Sequence, residues 1–173
     1  MTARLKLLEF LADGRFHSGE SLGERLGVTR AAIWKRLRSL RSLGIEIQAV
    51  RGHGYRLAYP LEFMHKDAIQ GQLSSTTGRV VGRLELLTEV DSTNKYVKQL
   101  ARNGAPSGTA CLAESQSAGR GRLGRTWVSP FASNVYLSLL WRFDVGPSFL
   151  GGLSLICGVA LVKALGSLVP AGL

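Results

Sequence analysis

Cysteine, proline and acidic side chains are all scarce in this chain of 173 residues. It has 2 cysteines and 5 prolines, which excludes a disulfide-rich secreted scaffold and a proline-rich linker protein. Cys111 and Cys157 both lie within apolar runs. We therefore expect two buried, reduced thiols and a cytoplasmic location.

Long hydrophobic runs are lacking as well. Glu9 and Asp13 interrupt the early apolar stretch, which argues against a secretory signal peptide. The uncharged run Phe149–Val162 is shorter than the roughly 20 residues that a bilayer span needs. We expect no membrane partner, and we predict that Phe149–Leu168 forms a buried core helix.

The shortage of acidic residues leaves a strongly basic chain. It has 22 Lys and Arg against 12 Asp and Glu, a net charge of +10. Residues 1–60 hold 11 of the basic and 5 of the acidic side chains. A small basic N-terminal region favours a polyanionic partner, and the length fits one medium domain or two small ones.

The first 60 residues have the pattern of a winged helix-turn-helix domain. Ser18 can cap a helix over Gly19–Leu26, which Gly27 would end in the left-handed conformation. It would follow a leucine-rich first helix and precede a basic third helix, which Thr29 would cap and which would run to about Leu43. The alternation of residues 45–50, a glycine turn at 52–54 and a return over 55–57 predict the hairpin of a wing.

The third helix has two distinct faces. Ile33, Leu37 and Leu40 share one arc and should face the core, whereas the opposite arc carries cations. We predict that this arc and the wing bind duplex DNA, although a merely solvated charged face is the alternative. We expect Trp34, also on this arc, to pack beneath the wing. The predicted DNA-binding residues are Thr29, Arg30, Ala31, Lys35, Arg38, Arg41 and Arg51.

A loop that alternates glycine with arginine dominates the stretch Ala113–Pro130. Its centre reads Gly-Arg-Gly-Arg-Leu-Gly-Arg over residues 119–125. Glycine permits close backbone approach, and arginine binds carboxylate or phosphate, so the loop suits an anionic ligand. It matches G-x-G-x-x-G, but we expect Thr126–Pro130 to form a strand rather than a helix, which excludes a dinucleotide site. A solvated loop or an RNA contact is the alternative.

Three ordered segments carry a family resemblance. They read Asp91-Ser92-Thr93-Asn94, then ESQSAGRGRLGRTWVSP from Glu114, then SNVYLSLLWR from Ser133. Together they resemble the catalytic domain of biotin protein ligases, and with the N-terminal region the chain is similar to the bifunctional ligase and biotin operon repressor.

The resemblance implies an α+β fold in two domains. Residues 1–60 would form the winged helix-turn-helix domain. Residues 61–173 would form a biotin/lipoate-ligase-like α/β catalytic domain with a mixed sheet. Family members continue with a Lys-Trp-Pro-Asn-Asp segment and a small β-barrel, so we expect this catalytic domain to be truncated, incomplete at its C-terminus.

The resemblance also implies the chemistry. Such ligases join biotin to ATP, with Mg²⁺ on the phosphates, and pass the biotinyl group from biotinyl-5′-AMP to a lysine of the biotin carboxyl carrier protein. Arg120 and Arg122 match the catalytic loop arginines, while His53 has no partner at metal-ligand spacing. The residues matched to the biotin and adenylate site are Ser92, Thr93, Asn94, Gln116, Gly119, Arg120, Gly121, Arg122 and Trp127.

Other functions are kept open by the sequence. The chain could be a DNA-binding regulator that senses biotin or its adenylate without ligase activity, or a lipoate ligase, although Gln116 and the complete loop favour biotin. Ser92 could chiefly cap a helix. The operator sequence, the acceptor and the oligomeric state, a homodimer among the options, are not determined by the sequence.

Overall fold

The structure, a computed structural model, describes residues 3–41, 44–73 and 75–168. It divides into two compact units, Met1–Leu140 and Trp141–Leu173, so the expected boundary at residue 60 stays a prediction. The predicted end of the third helix at Leu43 lies outside the described residues. The helices are α1 (Ala3–Leu11), α2 (Gly19–Leu26), α3 (Arg30–Arg41), α4 (Lys66–Gln72), α5 (Ser75–Val80), α6 (Thr93–Arg102) and α7 (Leu153–Gly166). The strands are β1 (Ile47–Val50), β2 (Gly54–Leu57), β3 (Arg83–Leu87), β4 (Thr109–Ala113) and β5 (Tyr136–Leu140).

The caps predicted for the second and third helices are confirmed. Ser18 Oγ accepts a hydrogen bond of 3.0 Å from the Ser21 N–H, which satisfies one free donor at the start of α2. Gly27 ends α2 in the left-handed conformation at φ 63°. Thr29 Oγ1 accepts from the Ala32 N–H at 3.2 Å and begins α3 in the same way.

The wing is a short antiparallel hairpin, as predicted. Strands β1 and β2 pair with Ile47 opposite Leu57. The chain before α2 extends this sheet, because the His17 N–H donates to the Tyr55 carbonyl at 2.9 Å and the Tyr55 N–H donates to the His17 carbonyl at 2.8 Å. Gly54 lies so close to His17 that an added Cβ would overlap its carbonyl. The hairpin is thus fixed to the entrance of α2.

One hydrophobic core joins the three N-terminal helices and the wing. Ile33, Leu37 and Leu40 are buried in it, as the helical periodicity predicts. Phe131, from the segment before β5, is buried in the same core and meets Phe63 edge-to-face with ring centroids 6.1 Å apart. Residues beyond position 60 therefore complete the core of the three N-terminal helices.

The predicted mixed sheet is confirmed. Its order is β3-β4-β5, with β4 parallel to β3 and antiparallel to β5. All five residues of β4 are buried, which is typical of a central strand. Burial, assisted by the Glu85 carboxylate, raises the pKa of the Cys111 thiol to about 11, and this cysteine is buried as the sequence predicts.

Glu114, directly after β4, ties two distant segments together. Its Oε1 accepts a hydrogen bond of 2.7 Å from the Met64 N–H, and its carbonyl accepts one of 3.0 Å from the Ala132 N–H. The side chain is buried, and burial raises the pKa of its carboxyl, partly offset by the bond from Met64. The end of β4 is therefore held rigidly against the segments on both sides of it.

The second compact unit contains a 3₁₀ turn, Pro147–Leu150, followed by α7. The prediction of a buried core helix is wrong for this unit, because the side chains of α7 are exposed except that of Leu153, which is half-buried. Cys157 is exposed too, contrary to expectation. Among the described residues, none of the helices has the length and apolar character needed to cross a bilayer.

The close approach at Gly54 generates a stability prediction. Gly54→Ala should destabilise the N-terminal core by about 3 kcal/mol, because it combines a positive φ of 103° with an overlap against the His17 carbonyl. Gly52→Ala is the matched control, since Gly52 has φ 82° but open space around it; it should cost about 1 kcal/mol. Urea unfolding followed by circular dichroism measures both, and equal costs would contradict this account.

Candidate functional site

The centre of the candidate site is a contact between Gln116 and Thr93. Gln116 Oε1 accepts hydrogen bonds from the Thr93 N–H at 2.8 Å and from the Thr93 hydroxyl at 3.2 Å. The backbone N–H of Gln116 donates to Ser129 Oγ at 2.7 Å, and Thr93 Oγ1 lies 2.9 Å from Ser138 Oγ. The start of α6, the segment after β4 and strand β5 therefore meet at one polar cluster.

Ser92 and Asp91 form the entrance to α6. Ser92 Oγ accepts from the Lys95 N–H at 3.5 Å, so the capping role considered for this serine is present. Asp91 accepts from the Ser92 N–H at 2.8 Å and pairs with the Lys95 ammonium. The hydrogen bond from Lys95 holds the pKa of the Asp91 carboxyl below its usual range. The carboxylate is thus kept ionised beside the candidate site.

A cavity of about 660 Å³ opens beside this cluster. Six of the nine residues predicted to bind biotin or adenylate line it together: Ser92, Thr93, Asn94, Gln116, Arg120 and Trp127. The other three, Gly119, Gly121 and Arg122, lie outside its lining. The structure therefore brings together the polar set and one of the two predicted catalytic arginines.

The Arg/Gly loop is an irregular segment with a single 3₁₀ turn, Arg122–Gly124. The predicted strand over Thr126–Pro130 is wrong, since these residues adopt no regular structure. Instead their side chains serve the site: Ser129 accepts from Gln116, and Trp127 lies against Gly119, where an added Cβ would overlap the indole ring. Because contact with the site cluster replaces sheet pairing here, strand propensity alone misled the prediction.

Several lining residues carry no signal that singled them out in the sequence. Lys95, Lys98 and Arg102 recur at helical spacing on the wall formed by α6, and Tyr136 and Ser138 alternate along β5. With Arg120 they make a cavity in which cations outnumber the one lining carboxylate, Asp91. Such a cavity suits an anionic ligand that also presents hydrogen-bonding groups.

A resident metal is not indicated by the side chains. Within the described ranges there is no cluster of three or more His, Cys, Asp or Glu side chains that could hold an ion. Asp91, the lining carboxylate, is already paired with Lys95.

The predicted DNA-binding residues lie on the surface of the N-terminal region. All seven are exposed, and Arg30 and Arg51 line a groove of about 360 Å³ between α2, α3 and the wing. Arg41 is partly engaged, because its Nη2 donates to the Ile47 carbonyl at 3.1 Å and braces β1. Trp34 does not pack beneath the wing as expected; its surface is 52% exposed.

Comparisons with known proteins agree with this organisation. Residues 3–56 match the model of an HTH domain, and residues 86–171 match the biotin/lipoate A/B protein ligase family. The bifunctional ligase/repressor BirA of Salmonella typhimurium is 48% identical over 165 residues, 95% of this chain and 49% of that protein. The protein of the same name from Escherichia coli is 47% identical, again over 95% of this chain and 49% of that protein. The one from Bacillus subtilis is 36% identical over 95% of this chain and 50% of that protein.

A solved structure, the biotin protein ligase of Leishmania major in complex with biotinyl-5-AMP, shares 31% identity with this chain. The aligned region covers 50% of this chain and 35% of the solved chain. The TM-score of 0.44 is too low to establish a common fold.

The fold and the family matches define a protein class. The chain carries a helix-turn-helix domain followed by a domain that matches the biotin/lipoate A/B protein ligase family. More particularly, it is similar over nearly its whole length to bifunctional ligase/repressors, and it spans about half the length of those relatives.

The hydroxyl of Thr93 generates a prediction that tests the central cluster. Thr93→Val keeps the shape but removes the bonds to Gln116 and Ser138, so it should cost roughly 1–3 kcal/mol of stability in urea unfolding. It should also shift and broaden the side-chain amide NMR signals of Gln116.

The matched control is Thr109→Val, because Thr109 is equally buried but its hydroxyl donates to the Pro106 carbonyl. It should lower stability similarly while leaving the Gln116 amide signals in place. Unchanged Gln116 signals in Thr93→Val would show that the hydroxyl does not orient the carboxamide.

Proposed function

We propose that this chain acts in ATP-dependent biotin protein ligation and represses transcription of biotin synthesis genes by binding duplex DNA. The observation that carries the ligase half is the cavity in which Gln116, held by Thr93, stands beside Ser92, Asn94, Arg120 and Trp127. The relatives named ligase/repressor, at up to 48% identity, support both halves.

The polar cluster fits the ureido ring of biotin. That ring offers two N–H donors and one carbonyl acceptor. Ser92 and Asn94 supply groups that both donate and accept, and Gln116 can turn its amide nitrogen to the ligand while its oxygen stays on Thr93. The shared oxygen fixes which end of the carboxamide faces the cavity. Biotin would therefore be recognised by donors and acceptors that are oriented before it binds.

Adenylation needs cations because it brings two anions together. A carboxylate oxygen of biotin bonds to the α-phosphorus of ATP while the bond to the bridging oxygen breaks and pyrophosphate leaves. Arg120, on the cavity wall, would neutralise the carboxylate and the α-phosphate, and Trp127 would pack against the adenylate. Mg²⁺ would come with the phosphates of ATP and lower their charge.

The second step transfers the biotinyl group. The amine of an acceptor lysine in the biotin carboxyl carrier protein attacks the acyl carbon, AMP leaves, and the lysine nitrogen loses a proton. For Gly119, Gly121 and Arg122 we propose a place in the loop that covers the adenylate. The proposed setting is the cytoplasm, with a homodimer as a candidate assembly on DNA.

A DNA-binding regulator that senses biotin or its adenylate without ligating it is the second candidate. It is favoured by the position of Arg122 outside the cavity lining, which leaves Arg120 as the one loop arginine on the cavity wall. Incubation with labelled biotin, ATP and a biotin carboxyl carrier domain separates the two functions, since only a ligase labels the acceptor lysine.

Biotin binding is the direct test of the cluster. Gln116→Ala should weaken biotin by roughly 1–3 kcal/mol in a calorimetric titration, because the ring and Thr93 both lose a hydrogen-bonding partner. Gln99→Ala, on the solvent-exposed part of α6, is the control and should bind as the wild type does. Equal affinity of the two variants would remove Gln116 from the ligand site.

DNA binding should depend on the cations of α3. Replacing Lys35 and Arg38 by alanine should weaken operator binding and flatten its salt dependence, because fewer counterions are released from the phosphates. Adding Arg41→Ala should weaken it further, partly through loss of the bond to Ile47. Fluorescence anisotropy at several salt concentrations measures this.

The charge-matched control for DNA binding is Arg79→Ala with Lys163→Ala, which removes two cations outside the predicted DNA-binding face. This control should keep both operator affinity and its salt slope. An operator affinity that survives loss of Lys35 and Arg38 would place the DNA elsewhere on the molecule.

A further inference from the structure

Trp34 is the one large apolar side chain among the outward positions of α3 named above. Its surface is 52% exposed although it stands at the middle of a twelve-residue helix. Ala31 and Lys35, one turn before it and directly after it, are exposed as well. The Arg38 guanidinium, one turn further on, lies over the indole ring at 5.7 Å from its centroid.

This arrangement is unfavourable for a helix face that stays in water. An indole offers a large apolar area, and leaving half of it exposed forgoes the free energy of burying it. Ala31 is too small to cover the ring, and half of the indole stays exposed although the Arg38 guanidinium lies over it. The ring therefore presents apolar surface outward between two side chains that are expected to meet DNA.

The Arg38 contact also has a consequence for the arginine. A guanidinium that rests on an aromatic ring has fewer conformations to lose than a free one when it binds. Its forked donors keep their hydrogen-bonding capacity at the edge of the ring, and guanine O6 and N7 are the acceptors that this fork fits in the major groove. Trp34 and Arg38 thus form a unit with an apolar and a charged end.

We propose that Trp34 determines DNA sequence preference by covering the C5-methyl group of a thymine in the major groove, with Arg38 on the guanine of a neighbouring base pair. The inference rests on the proposed DNA binding and goes beyond it by naming the bases. A thymine methyl is the apolar group that the major groove offers, and an uncharged indole has no comparable affinity for phosphate. Lys35, beside Trp34, is the better phosphate partner.

The experiment removes the methyl group and leaves the base pair intact. Duplexes that bind the full chain are first selected from a random library, and each thymine of the selected site is then replaced by deoxyuridine. One replacement should weaken wild-type binding about fourfold, the effect of roughly one buried methylene-sized group. Trp34→Ala should bind the thymine and uracil duplexes equally, and Trp34→Phe should keep part of the difference.

Two further measurements isolate the unit. Replacing guanine by 7-deazaguanine next to the sensitive thymine should weaken the wild type but not Arg38→Ala, because only the wild type uses N7. Trp141→Ala, which removes an indole of 42% exposure in the other compact unit, is the matched control and should keep full sensitivity to the methyl group. Since Trp34 is exposed, its replacement should leave the urea midpoint unchanged.

The outcomes separate this inference from the proposed function. If the chain selects a site but no thymine-to-uracil effect depends on Trp34, the inference is overturned while DNA binding stands. If Trp34→Ala instead changes sedimentation of the free chain, the indole is a protein contact and the inference also fails. If no duplex is enriched at all, the DNA-binding half of the proposed function falls with it.

Discussion

The carboxamide of Gln116 is the constraint on which the rest of the site depends. Its oxygen accepts both the N–H and the hydroxyl of Thr93, and its backbone N–H donates to Ser129. One residue thereby fixes the start of α6, the end of the Arg/Gly loop and its own side-chain orientation. Gln116 can take this position because β4 is buried along its whole length and Glu114 holds the segment that follows.

The Arg/Gly loop is fixed at both ends, and its far end reaches the N-terminal core. Gln116 stands before the loop; after it, the Tyr136 hydroxyl donates to the Pro130 carbonyl at 3.1 Å. The next residue, Phe131, is buried among the three N-terminal helices. A displacement of the loop would therefore be felt at the ligand cavity and at the core beneath α3. The two proposed functions share this one segment of chain.

Local signals in the sequence predicted the fold where side chain and backbone interact within one turn. Ser18, Gly27 and Thr29 cap or end helices as predicted, since capping needs only neighbouring residues. The same logic fails where the outcome depends on distant partners. Residues 126–130 include residue types that favour strands, but their side chains make other contacts. The side chains of the apolar helix α7 are not buried within its own compact unit.

The candidate site also divides into features that the sequence predicts and features that depend on contacts between distant segments. Ser92, Thr93, Gln116, Arg120 and Trp127, which the resemblance singled out, line one cavity together. It could not show that Gln116 Oε1 accepts two hydrogen bonds from Thr93, nor that the α6 cations line the same cavity wall, since both depend on how α6 packs on β5.

The three loop glycines show how far the motif and the structure differ in detail. The motif suggests backbone freedom as the role of all three, yet among them only Gly124 has a positive φ, 73°. Gly119 instead leaves room for the Trp127 ring, and Gly121 leaves room for the Arg125 carbonyl. Steric room at Gly119 therefore places the indole on the cavity wall, and any larger residue there would push Trp127 out of the site that it lines.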